Sequence, residues 1–222
     1  MNEAGGLLGQ PIALVVALAL VSLLPFVFMS VTAFVKISTV LQIVKSAMGT
    51  QSVPSNTVVL ALSAALTFLA MAPVGEKIWH NVEPILHSKH ADSAELITDG
   101  IDAVKEPMRA FLSANANPAE KERFLKVAKD ARPEADRAAV GAEDLSVLVP
   151  AFVVSELAEA FAIGFLIYLP FLVLDLVVGN VLVALGMQSL PTPQVAFPFK
   201  LLLFVAIDGW GLLAQALVSG YK

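Results

Sequence analysis

From Pro11 to about Val35 almost every position is apolar, interrupted by Ser22, Pro25, Ser30 and Thr32. The run exceeds the roughly 20 residues a helix needs to cross hydrocarbon, which predicts a first membrane segment. Past Lys36 the pattern stays helical, with Ile37, Val40, Leu41 and Val44 on one face up to Lys45, so one long helix is expected to extend beyond the apolar boundary. Gly49 and Pro54 close it, and Thr57 to Pro73 returns as a second, barely long enough segment rich in Ala, Ser and Leu. Small residues let helices approach closely in lipid, so this segment belongs inside a bundle.

The middle of the chain, about Gly75 to Val147, is polar and predicts a small helical layer. Ile101, Val104, Met108, Phe111 and Leu112 fall on one helical face. Asn117-Pro118-Ala119-Glu120 then supplies a capping residue, a first-turn proline and an acid at the third position, ahead of the apolar Phe124, Leu125 and Ala128. Ala131 to Glu143 has few large apolar residues and reads as a linker.

From Leu148 to Trp210 two long apolar runs follow, meeting at a proline-containing turn. They carry charges that hydrocarbon rejects: Glu156, Glu159 and Asp175 on the first, Lys200 and Asp208 on the second. A charge at the centre of a lipid-facing helix costs about 2.5 to 3.5 kcal/mol even on lenient insertion scales, so these groups must face protein or water. Three divisions result: residues 1–74, a membrane helical hairpin; 75–147, an extracytoplasmic helical segment and linker; and 148–222, a second membrane hairpin. The connection in the first hairpin holds Lys36 and Lys45 and no acid, which by the positive-inside rule sets it in the cytoplasm, with the amino terminus and the middle segment outside.

An internal repeat is visible. Ala47 to Ser55 aligns without gaps to Ala184 to Thr192, and Leu24-Pro25-Phe26 echoes Leu169-Pro170-Phe171. A duplication of this kind makes the chain two hairpins of the same orientation, both turns on one side of the membrane.

Composition agrees. A 57% hydrophobic chain of 222 residues with 15% charged residues and a mean hydropathy of +0.78 is too apolar for an ordinary soluble domain. The net charge of −5 comes from a segment carrying both signs and implies no nucleic-acid partner. With no cysteine there is no disulfide framework, thiolate metal site or cysteine nucleophile. The amino terminus is no standard secretory signal, because Glu3 is the only charged side chain before Lys36; the first run is expected to stay as a membrane helix.

The strings SELAEAFAIGF, LPFLVLDLVV, ALGM, PFKLLLFV and DGW, with SAMGTQSVPSN and FLAMAPVGEKI in the first half, resemble in order and spacing the export-gate core subunit of type III secretion, the flagellar FliP protein and its injectisome (SctR) counterparts. The resemblance implies an all-α membrane protein of two kinked helical hairpins in the bacterial inner membrane. It implies a homopentamer, joined by two smaller export-gate subunits and contacting further export-apparatus proteins, through which unfolded secreted proteins pass. It also implies that the assembled hairpins are held largely above the membrane plane, and the lack of a cleavable signal leans toward an injectisome member.

Candidate sites follow in three groups. The turn Gly186, Met187, Gln188, Ser189, Leu190 and Pro191 must be non-helical, which at membrane depth is tolerated only against protein or a water-filled cavity. Repeated around a ring it forms a constriction, and a methionine there deforms around a passenger. The family's loop has consecutive methionines, whereas only Met187 matches here. Lys45, Gly49, Gln51 and Pro54 mark the equivalent cytoplasmic turn. Glu156, Glu159, Asp175, Lys200 and Asp208 are candidate contacts between protomers. For Glu156 and Glu159 the alternatives are a proton relay or ion pair, or simply the wetter end of the helix, which is favoured. Asp175 is expected to pair with Lys200 or with another chain, and Asp208, before Gly209-Trp210-Gly211, marks a kink or close-packing point. His80, His87 and His90, near Glu83 and Asp92, give too weak a set for a metal. No nucleophile elbow, phosphate-cradling loop or helical HExxH pair is present, so neither a cofactor nor enzymatic activity is expected. The competing reading is a proton-conducting or transport subunit using Asp175, Glu156 and Asp208; a third is a passive scaffold.

Overall fold

The computed structural model describes residues 4–49, 54–87 and 93–221, and all the regular structure among them is helical. In chain order the elements are α1 (Ala4–Val31), α2 (Phe34–Ala47), α3 (Asn56–His87), α4 (Ser93–Asn115), α5 (Pro118–Asp130), a 3-10 turn (Glu134–Ala139), α6 (Leu145–Ala184), α7 (Thr192–Ala206) and α8 (Gly209–Ser219). Among the described residues α3 and α6 are each long and apolar enough to cross a membrane. By the same measure of length and composition two bent pairs qualify together, Val21–Val31 with Phe34–Ala47 and Thr192–Ala206 with Gly209–Ser219.

Two expectations are corrected. The single helix predicted from Pro11 through Lys45 is broken at Thr32–Ala33, and α2 leaves α1 at 74°. The break is buried, Thr32, Ala33 and Phe34 each being nearly inaccessible. That satisfies the rule that irregular backbone in an apolar setting survives only against protein. The second segment does not end at Pro73: α3 runs on through Pro73 and Pro84 to His87, carrying the chain past residue 74 without interruption. An internal proline removes one helical hydrogen bond, and the turns beyond it are held by packing, since Val74 and Ile78 join a cluster with Phe111, Leu112, Ala116, Leu148, Ala151 and Phe152.

That cluster seats the middle of the chain on the start of α6. On α4, Phe111 and Leu112 are buried and Met108 packs beside them, whereas Ile101 and Val104 of the expected face stay exposed. Helix α5 starts as its sequence prescribes: the Asn117 side chain accepts from the Ala119 N–H at 2.9 Å, with Pro118 in the first turn. The expected linker holds the 3-10 turn.

The main core is built around α2. Ile37, Val40, Leu41, Val44, Ala47 and Met48 are all buried, against Val59, Leu66 and Ala70 of α3, Ala160 and Phe171 of α6, Phe204 of α7 and Leu213 and Leu217 of α8. A helix with so much of its surface buried has no room to spare where it crosses its neighbour, although Gln42 and Ser46 leave one face open. At Gly164 of α6 an added Cβ would lie 2.5 Å from Ile43 Cδ1 and 3.1 Å from Ile43 Cβ, so the glycine sets the closeness of α2 to α6. By contrast most described side chains of α1 before Phe28 face outward, with Leu14, Val15, Leu18, Val21, Leu23, Leu24, Phe26 and Val27 all exposed.

Gly164→Val is expected to lower stability by about 1 to 3 kcal/mol through overpacking, read as thermal unfolding in detergent. Ile43→Ala in the same chain should recover most of the loss, and an unchanged melting curve for the single variant would exclude this close approach.

Candidate functional site: two buried ion clusters and an exposed loop

The first cluster joins the start of α2 to α6. Lys36 is almost fully buried, and its Nζ donates to Glu156 Oε1 at 3.0 Å and to Glu159 Oε2 at 2.9 Å. Glu156 and Glu159 are one turn apart, so one ammonium reaches both. Glu156 is wholly buried, whereas the Glu159 side chain is 53% exposed. Tyr221, just beyond α8, donates its hydroxyl to Glu156 Oε2, stacks on Phe111 and lies with its ring 4.2 Å beneath the Lys36 ammonium. Glu156 is therefore not at the wetter end of its helix, the reading favoured from sequence, and the partner sought on another protomer is Lys36 of the same chain. Lys36 had been counted toward orientation. Its charge is instead spent on two acids 120 and 123 positions away, a separation at which no local pattern signals pairing.

The second cluster joins α7 to α6 and to the end of α2. Lys200 Nζ, 3% exposed as a residue, donates to Asp175 Oδ2 at 2.6 Å and to the Ala47 carbonyl at 3.0 Å. Ala47 is the last residue of α2, so the ammonium satisfies a carbonyl that the helix leaves open and sits at its negative end. Of the two partners open to Asp175, Lys200 is the one in place. Asp175 Oδ1 is buried and has no hydrogen-bond partner among the described residues. Across the same turn Lys45 Nζ donates to Asn56 Oδ1 at 2.5 Å, tying the end of α2 to the start of α3. Gln51 lies outside the described residues. Pro54 lines a cavity of about 320 Å³ with Met48, Phe197 and Trp210.

The two repeated turns share backbone geometry. Gly49 has φ +76° and Gly186 φ +72°, the left-handed conformation that glycine adopts without a Cβ penalty. Gly49 N–H bonds Ser46 O, and Gly186 N–H bonds Val183 O, each at 3.0 Å; Met187 N–H adds a bond to Leu182 O at 2.9 Å, completing a Schellman C-cap on α6. Their surroundings differ. Gly49 is close to Lys200 Nζ, whereas α6 continues nine residues from Asp175 to Ala184, about 14 Å of further rise. Every residue from Val183 to Pro191, including Gln188 and Ser189, is exposed there, among them Leu185, Met187 and Leu190.

Asp208 stands where α7 turns into α8 by 59°, itself in the left-handed region at φ 52° and exposed. Gly209 is required beside it, because a Cβ there would run into the Phe204 ring, and one at Gly211 would lie 2.5 Å from Asp208 Oδ2. His80 and His87 are exposed on α3, and His90 and Asp92 fall outside the described residues.

A model of the FliP family matches residues 17–217. The chain belongs to the FliP family. Among curated relatives it is 40% identical over 210 residues to the hypersensitivity response secretion protein HrcR of Ralstonia nicotianae, covering 95% of this chain and 97% of that one. To the Yop proteins translocation protein R of Yersinia pestis it is 37% identical over 214 residues, covering 96% and 98%. To the flagellar biosynthetic protein FliP of Rhizobium meliloti it is 37% identical over 207 residues, covering 92% of this chain and 81% of that one.

In this FliP-family chain the strings that carry the resemblance coincide with the structural fixtures: SELAEAFAIGF holds Glu156, Glu159 and Gly164, PFKLLLFV holds Lys200, and DGW forms the α7–α8 bend. Sequence reasoning missed Lys36 as an ion-pair partner and Tyr221 altogether. A lone lysine in an apolar run opposite two unmatched acids was a usable signal for the first; a tyrosine after an apolar helix gives none.

Lys36→Met leaves Glu156 buried without its cation and is expected to cost about 3 to 5 kcal/mol, whereas Lys36→Met with Glu156→Leu should regain most of that loss. Thermal unfolding of the purified variants checks the sign of the recovery.

Proposed function

We propose that this chain is the pore-forming core subunit of a type III secretion export gate, mediating protein secretion across the bacterial inner membrane. The observation that carries the reading is the bare stretch from Val183 to Pro191, the end of α6 and the non-helical turn after it, on a body whose buried lysines Lys36 and Lys200 are tied internally. A single chain gains nothing from presenting Leu185, Met187 and Leu190 to solvent. A ring of such loops, five by family resemblance, closes a narrow passage, and Met187 supplies its deformable lining. Gly186 with its C-cap fixes where α6 stops, so that each protomer presents the loop at the same height.

The subunit works as a homopentamer with two smaller gate subunits and the rest of the export apparatus, and unfolded secreted proteins are its passengers. The chain reads as two hairpins of the same orientation, the Gly49 and Gly186 turns facing the cytoplasm and the α4–α5 region outside. The hairpins are raised toward the periplasm, since Asp175, Lys200 and Asp208 are tolerable above the hydrocarbon. With Lys36 and Lys45 both buried on partners, their weight in the positive-inside argument falls, and orientation rests on the family. The buried, unpartnered Asp175 Oδ1 is a natural acceptor for a donor from a neighbouring subunit.

Proton conduction has less support, because Glu156 and Asp175 each hold a lysine and an ion-paired carboxylate is a poor carrier. Asp175→Asn is expected to weaken assembly, seen as loss of the intact complex on blue native gels, with no change in proton flux; abolished proton flux in an intact complex would favour the transporter. Met187→Ala is expected to raise leakage of small solutes severalfold while export continues. Unchanged permeability in a complex of normal composition would remove the lining role of the loop.

A further inference from the structure

The 74° bend between α1 and α2 has no cause in its own sequence. From Phe26 to Met48 there is neither proline nor glycine, the usual sources of a sharp kink. Thr32 donates its hydroxyl to Phe28 O at 2.7 Å, a back-bond that only mildly bends a helix. Ser63 and Thr67 make the same bond to Val59 and Ser63 inside α3, which runs on unbroken. The Phe34 N–H bonds Thr32 Oγ1 at 3.4 Å, a single weak bond in place of the amide bonds lost at the break. What holds the bend must come from elsewhere in the fold.

Core packing and the Lys36 ion pairs seat α2 itself; at the corner, among the described residues, one residue beyond the two helices presents a polar atom. The Tyr221 hydroxyl faces the carbonyl of Ala33, at the corner itself, at 3.1 Å, and the carboxylate of Glu156. Its ring lies under Lys36, in the first turn of α2, and against Phe111 of α4. Tyr221 thus bears on the first turn of α2 through its ring and the ion cluster, with the one proton of its hydroxyl shared between Glu156 and the corner carbonyl, and it is delivered there by α8, which packs on α3. In the outer part of α1 the described side chains Leu14, Val15 and Leu18 are exposed.

We infer that the α1–α2 joint is reversible and that Tyr221 is the positioning residue that keeps it bent. Before α8 docks, the run from α1 through α2 follows its local preference and is one continuous helix; docking of Tyr221 on Ala33 and Glu156 turns α2 into the core. The chain therefore has an extended and a folded form of its first half, selected by a side chain almost two hundred residues later.

The absence of native cysteine allows the test on the full chain. Spin labels at Leu18→Cys and Ser46→Cys should be about 33 Å apart with the 74° bend and about 42 Å apart in a straight helix, at about 1.5 Å rise per residue. A second pair, Ser46→Cys with Ala158→Cys, reads whether α2 keeps its seat on α6. In detergent, the chain with Tyr221 should give the short distance alone. Tyr221→Phe, which retains the ring, should add a population at the long distance, and Tyr221→Ala should enlarge it. The second pair should keep its distance in the fraction of Tyr221→Phe that stays bent. If Tyr221→Ala loses both distances, Tyr221→Phe decides alone. A single short distance in Tyr221→Phe, or a broad spread of both pairs without a peak near the straight-helix value, overturns the inference.

Discussion

Two lysines drawn out of solvent, Lys36 and Lys200, hold the two halves of this chain together. Each is an ammonium on an apolar helix, and each is tolerable only because α6 brings a carboxylate to it within hydrogen-bond distance. A charge buried without its partner costs several kcal/mol, more than most single contacts contribute. The pairs therefore act less as a source of stability than as a condition on register: α2 and α7 must meet α6 at Glu156 and at Asp175, or not pack at all.

That condition explains the division of labour along α6. Its first half is embedded, with Phe152, Ser155, Glu156 and Ala160 buried, and Gly164 lets α2 approach closely. Past Asp175 the ion pairs end, and apart from Leu182 and the partly buried Val178 and Gly179 the helix is exposed until Gly186 turns the chain. The exposed loop and the rigid base that supports it belong to one continuous helix. A loop so mounted takes its position from the helix that carries it, through the Gly186 and Met187 amide bonds.

The equivalence of the two glycine turns adds a structural reason to take the internal repeat seriously. Gly49 and Gly186, paired by the alignment, share a left-handed backbone and the same amide-to-carbonyl bond. The halves then diverge: Ala47 and Met48 ahead of Gly49 are buried, whereas Ala184 and Leu185 ahead of Gly186 are exposed. Similar backbone with different burial is what a duplicated element acquires when only one copy is left facing outward.

Read by itself, the sequence determined the helical character, the apolar runs, the N-cap of α5, the glycine positions of both turns and the family strings, because each depends on neighbours within a few residues. Tertiary structure alone decided that Lys36 belongs to Glu156 and Glu159, that α3 passes through Pro73, that the first run bends at Thr32–Ala33, and that Tyr221 stands at the corner. Those outcomes depend on groups far apart in the chain, where the cost of leaving a charge or an amide unsatisfied is weighed over the whole fold and local preference loses.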